Sequence, residues 1–145
     1  MDFHDYDDEF VRAIFMGKES SDYKYLAEEM SQAVLLFTRQ LPDDEVFNLK
    51  NKLQHSAKQL PDNFADVSKI EEHFAVIRGM IKFNRILDEC KDYLVMAQKL
   101  KYAKSGELIN KVDMVGRILN NYLSNKVVSK EILNWFCLFT QEYIY

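Results

Sequence analysis

Four stretches of this chain place apolar residues at alternating steps of three and four, and that spacing constrains the fold more than any other feature. The first stretch is Tyr23, Leu26, Met30, Ala33 and Phe37, and the second is Val46, Leu49, Leu53, Ser56 and Leu60. The third is Val76, Met80, Phe83, Leu87, Cys90, Leu94 and Ala97, and the fourth is Leu108, Val112, Val115, Leu119 and Tyr122. Such steps keep side chains on one side of a helix. A single apolar stripe has nothing to bury itself against. Four of them predict an all-α protein, an antiparallel up-down-up-down four-helix bundle with helices crossing at roughly +20°. Only 4 Gly and 2 Pro are present, too little turn material for an all-β fold. A chain of 145 residues that is 48% apolar suits one domain with a real core, so residues 1–145 are read as a single domain. The bundle proper is expected over about residues 21–123, with 1–20 and 126–145 as terminal additions of helical character.

The breaks between stripes carry helix-boundary chemistry. Pro42 fits a first helical position, and Asp43, Asp44 and Glu45 after it complement the positive end of the helix dipole. Ser68 and Glu71 have capping-box spacing for the third helix. That helix is expected from Ser68 to about Leu100, on the order of 50 Å long at ~1.5 Å per residue. Ser105 suits an N-cap for the fourth helix, with Gly106 as a local breaker. Pro61 is the exception, because it falls inside the second stripe. It lacks the N–H that would bond the Ala57 carbonyl, and its ring crowds that group. The second helix is therefore expected either to end at Leu60 or to kink and continue to Asn63, a kink or a frayed last turn being favoured.

The termini differ from the middle. Residues 1–20 hold Asp2, Asp5, Asp7, Asp8, Glu9 and Glu19 against Arg12 and Lys18. That local excess equals the whole chain's net charge of −4, so the rest is close to neutral. Phe10, Val11, Ile14 and Phe15 in that segment suit a short amphipathic helix. Residues 127–145 are dense in bulky apolar groups, including Ile132, Trp135, Phe136, Phe139 and Ile144, on more than one face. Such a segment requires burial on both sides, against its own bundle or a neighbouring subunit. The acidic start shows no apolar run of the signal-peptide kind. The longest apolar runs, Ala33–Phe37 and Trp135–Phe139, are too short to span a bilayer. A cytoplasmic protein without membrane partners is expected, with Cys90 and Cys137 as reduced core thiols.

The residues offer no catalytic constellation, and the chain is read as non-enzymatic with no cofactor. A di-metal carboxylate site in a bundle needs Glu-x-x-His on two helices, and no Glu here is followed by His at that distance. Glu71, Glu72 and His73 are consecutive and point in different directions around a helix. His4 sits in the acidic terminus, and His55 has no Ser or Cys partner of recognisable spacing. No glycine loop for phosphate is present. What remains is a basic cluster, Lys91, Lys99, Lys101, Lys104 and Lys111, joined by Lys50, Lys52 and Lys58 of the second helix. It could contact phosphates, although overall acidity favours a solvated lysine face.

Three runs also point to a known family. Leu60-Pro61-Asp62-Asn63-Phe64-Ala65-Asp66 resembles the Ile-Pro-x-Asn-Ile-Ala-Glu signature of the 23S ribosomal RNA intervening-sequence proteins, a four-helix-bundle family. Leu41-Pro42-Asp43-Asp44-Glu45 is similar to that family's Phe-Pro-x-Glu-Glu turn. Glu89, Cys90, Leu94, Ala97, Leu100 and Tyr102 are similar to its Glu-Leu-x-x-x-Leu-x-x-Ala-x-x-Leu-x-Tyr run. The resemblance covers about residues 23–123. It implies an antiparallel bundle that assembles into a ring-like homopentamer, with Leu60, Pro61, Asn63 and Ala65 marking the junction of helices two and three. A related branch, the accessory variability determinant of diversity-generating retroelements, is basic and works with a reverse transcriptase and nucleic acid. Where the family carries a Gln and paired Arg in helix two, this chain has Lys52, Gln54 and His55.

Two functions follow as expectations. The first is a self-associating helical bundle acting as a scaffold or interaction protein. The second is a nucleic-acid-binding accessory protein acting with a reverse transcriptase or ribosomal RNA.

Overall fold

The computed structural model describes residues 20–127, and among them it is all-helical, with four α-helices and no strand. Helix α1 spans Ser20–Phe37 and runs into one 3-10 turn, Thr38–Gln40; α2 spans Leu49–Ser68, α3 His73–Lys99 and α4 Gly106–Val127. The segment with Phe10 to Phe15, His4, the apolar residues from 128 onward and Cys137 lie outside the described residues.

Helix α1 packs on α2 and α4, and α3 packs on the same two helices. Within α1–α2 and within α3–α4 the contacting pairs run in opposite chain directions. Ser31 Oγ donates to the Ala57 carbonyl at 2.6 Å, and Gln54 Nε2, earlier in α2, donates to Thr38 Oγ1 at 3.3 Å. Between α3 and α4 the side-chain amides of Asn84 and Asn120 exchange hydrogen bonds of 2.9 and 2.7 Å. About two turns along, Lys91 meets Asp113 at 3.2 Å. Between α1 and α4 the rings of Tyr23 and Tyr122 stack with centroids 4.3 Å apart. A Cβ on Gly79 would stand 2.7 Å from Val67 Cγ2, so α3 presents bare backbone to α2 there.

The core is built from the expected stripes with local adjustments. Leu26, Met30 and Phe37 are buried, but Val34 rather than Ala33 fills the step between them. Ser56 is buried with Leu49, Leu53 and Leu60, while Val46 lies off the helix and in solvent. Cys90 is a free, buried thiol among the α3 residues Phe83, Leu87, Leu94 and Ala97.

Three helix boundaries differ from expectation. Helix α2 begins at Leu49, not near Pro42, because Asn48 takes a left-handed conformation (φ 54°) that no continuing helix allows. Of the three acids after Pro42, Glu45 serves the helix start: its carboxylate accepts from the backbone N–H groups of Phe47, at 3.0 Å, and Leu49. The α3 cap is Glu72 rather than a Ser68–Glu71 box, with its carboxylate accepting from Phe74 N at 2.9 Å and Ala75 N at 2.7 Å. Ser68 is still inside α2. The third difference is Pro61, which neither ends nor frays α2: the helix runs on to Ser68. Leu60, Pro61, Asn63 and Ala65 therefore lie within α2, and the α2–α3 connection falls at residues 69–72.

The caps couple stability to pH. Backbone N–H groups of Phe74 and Ala75 hold the Glu72 carboxyl below the ordinary glutamate range, with Arg78 adding to the effect. Desolvation pulls the Glu45 carboxyl up, but the N–H groups of Leu49 and Phe47, the Tyr102 hydroxyl and Lys52 outweigh it, and the net shift is downward. A depressed carboxylate contributes stability above its unfolded value of ~4.3, and that contribution is lost as pH falls through the folded value. Glu29 has the opposite sign, since burial raises its carboxyl and Lys111 only partly opposes this. Glu72→Gln and Glu45→Gln should each lower the thermal midpoint near neutrality and flatten its decline on acidification, as read by circular dichroism melts across the acid range.

Candidate functional site

The expected lysine cluster resolves into three separate environments. Lys91 sits on the α3–α4 seam, 3.2 Å from Asp113 and 3.5 Å from Asp88, so its charge is already matched. Asp113 also holds Arg117 at 2.9 Å. Lys111, half-buried on α4, acts on the Glu29 carboxyl of α1. Lys99, Lys101 and Lys104 alone stay exposed and together, at the turn from α3 to α4. On α2, Lys50 pairs with Asp43 at 2.6 Å, Lys52 acts on Glu45, and Lys58 is exposed.

The sequence folds this turn in a specific way. Helix α3 ends in a Schellman arrangement: the Tyr102 N–H bonds the Ala97 carbonyl at 3.0 Å, and the Lys101 N–H bonds the Gln98 carbonyl at 3.0 Å. That motif needs a left-handed residue, and Lys101 supplies it with φ 62° where glycine is usual. Ser105 then ties the start of α4 back to α3. Its Oγ donates to the Leu94 carbonyl at 2.6 Å and its N–H donates to Gln98 Oε1 at 3.1 Å. Thus Ser105 stands at the expected N-cap position, but its hydroxyl is directed to the neighbouring helix. Tyr102 completes the setting, its hydroxyl donating to Glu45 Oε2 at 3.2 Å across to the α1–α2 connection.

An open hollow of about 810 Å³ results, lined by Gln98, Lys101, Ala103, Lys104, Gly106 and Glu107. Lys101, Lys104 and the N-terminal end of α4 line it, and Glu107 sets one negative charge against the two lysines. The arrangement suits an anionic group reached from solvent. Gln98 and Glu107 escaped the sequence reading because a search for basic residues passes over them. The signal was the spacing of Gln98 and Ser105 across the turn.

Other candidates turn out to be structural. Burial pushes the Cys90 thiol up to about 12, with Lys91 opposing weakly, so no thiolate forms near neutrality. His55 is exposed and 2.8 Å from Gln59 Nε2, one turn on. Leu60 is buried, and Pro61, Asn63 and Ala65 are half-buried on α2. Among the described residues no three His, Cys, Asp or Glu side chains are placed to hold a metal ion, and no helix is long and apolar enough to cross a membrane.

Lys101 carries a prediction of its own. A non-glycine left-handed residue costs roughly 1–2 kcal/mol. Lys101→Gly should therefore raise unfolding stability by on the order of 1 kcal/mol in urea titrations while removing one charge from the hollow. An unchanged or lowered midpoint would show that the strain is offset by contacts of the lysine stem.

The chain matches no protein-family model, no curated protein and no solved structure.

Proposed function

We propose that this chain is a non-enzymatic helical bundle that associates with copies of itself and serves as a scaffold or interaction protein. The observation that carries this reading is the apolar surface at the end where α1 passes into α2. Leu36 in the last turn of α1 is 60% exposed, and Val46 and Phe47 just before α2 are 93% and 47% exposed. Removing such groups from water yields roughly 25 cal/mol per Å², which a neighbouring copy can supply. The ring-like pentamer implied by the family resemblance is the assembly this reading carries, in a cytoplasmic, reducing setting consistent with the free buried thiol of Cys90. The inert thiol and the partnered His55 support a role without catalysis.

Light scattering at tens of micromolar should return a multiple of the chain mass. Combining Val46→Asp with Phe47→Ser should shift the population toward monomer with helicity unchanged. A strictly monomeric protein under those conditions would overturn the reading.

A second reading is supported by the hollow at the α3–α4 turn, where Lys99, Lys101 and Lys104 stay exposed. Under it the protein is an accessory to a reverse transcriptase or ribosomal RNA and contacts phosphates there. Salt-sensitive gel shifts with structured RNA or DNA, lost when the three lysines become Ala, would favour it. Binding indifferent to those changes would count against it.

A further inference from the structure

We infer that residues 128–145 of the chain seat on the outer face of α3, along Phe74, Ile77 and Ile81. These three follow one another at steps of three and four, so they form one stripe. They are 70%, 40% and 57% exposed. The inward side of the same stretch is also apolar, with Val76 and Phe83 buried and Met80 packed against the core. Helix α3 is thus apolar over a wide arc through its first half, of which only the part facing the bundle is covered. Helices of that kind are covered across the whole arc.

The place where the described chain ends identifies what covers it. Helix α4 is a direct neighbour of α3 and ends at Val127. In its last turn Lys126 Nζ donates to the Ser68 carbonyl, at the end of α2. The described part of α4 therefore stops beside the α2–α3 connection, and Phe74 is the second residue of α3. The stripe is on the order of 10 Å long, and residues 128–145 would reach about 27 Å even at the short rise of a helix, ~1.5 Å per residue. The segment brings Ile132, Leu133, Trp135, Phe136, Phe139 and Ile144, a set that cannot stay in water. Tethering adds an effective concentration in the millimolar range. Residues 1–19 are worse placed, because they lead into α1, which packs on α2 and α4 rather than on α3. The inference is independent of self-association, since Leu36, Val46 and Phe47 lie at the opposite end of the bundle.

Trp135 is the single tryptophan and reports directly on the segment. In the full chain its emission should be blue-shifted and shielded from iodide at every protein concentration. Ile81→Glu should red-shift the emission and raise iodide quenching several-fold, and Phe74→Ser should do the same to a smaller degree. Both positions are exposed, so circular dichroism should show the bundle intact. Val46→Asp, at the other end, should leave Trp135 shielded whether or not assembly is lost. A Trp135 that is solvent-exposed in the parent chain would overturn the inference, and so would quenching unchanged by both α3 variants. Shielding that disappears on dilution in step with dissociation would also overturn it, by placing the segment on a second copy.

Discussion

Phe64→Ala should lower unfolding stability by about 3–5 kcal/mol, the range for deleting a fully buried aromatic ring. Phe64 has no solvent exposure. Its ring lies 5.9 Å from that of Phe83 on α3 and 5.9 Å from that of Tyr122 on α4, both tilted. Tyr122 in turn stacks on Tyr23 of α1. One side chain of α2 thereby connects all four helices. The surrounding rings are rigid and belong to different helices, so the vacated space closes poorly and the loss should fall at the upper end. Total stabilities of domains this size are about 5–15 kcal/mol, which makes the loss a large share of the whole. The thermal midpoint should drop by roughly 10–20 °C. Phe64→Leu, which retains most of the volume, should lose far less. A loss for Phe64→Ala below about 1 kcal/mol in urea titrations would show that the aromatic cluster does not hold the helices together.

The packing of Phe64 also locates the meaning of the run from Leu60 to Asp66. That run was legible as a signature but read as a junction between helices. In the structure Leu60, Phe64 and Val67 form one buried stripe of an uninterrupted α2. Periodicity was sufficient for most of the architecture: apart from Val46, which precedes α2, the four stripes lie on the four helices, and even Ser56, a polar residue in an apolar register, is buried as the spacing required. Boundaries were less legible because they depend on single backbone states. The left-handed Asn48 stops α2 from starting at Pro42, and the carboxylate of Glu72 fixes the start of α3. The lysine cluster was legible only as composition. Whether a lysine is available depends on partners far away in sequence, as with Asp113 beside Lys91, and no local pattern encodes that.

The survival of α2 past Pro61 has a chemical cause that can be tested by a double-mutant cycle. Proline has no N–H to give the carbonyl one turn earlier, which here belongs to Ala57. That carbonyl is buried and would be left without a donor, but Ser31 of α1 donates its hydroxyl to it at 2.6 Å. A neighbouring helix thus supplies the bond that Pro61 removes. Ser31→Ala should cost about 1–3 kcal/mol, the penalty for a buried acceptor stripped of its partner. Pro61→Ala restores an N–H in line with Ala57 and removes a residue about 3 kcal/mol less favourable than Ala inside a helix. It should preserve helicity and stabilise the fold, with any effect on assembly read separately by light scattering. With Ala at 61 the carbonyl has its own helical donor, so Ser31→Ala should cost at least 1 kcal/mol less than it does with Pro61 present, roughly the coupling expected of residues sharing one hydrogen-bonded group. Urea unfolding of the parent, the two single variants and the double variant measures that difference. An equal cost of Ser31→Ala in both backgrounds would show that the Ser31 hydroxyl does not stand in for the missing N–H, and that α2 tolerates Pro61 for another reason.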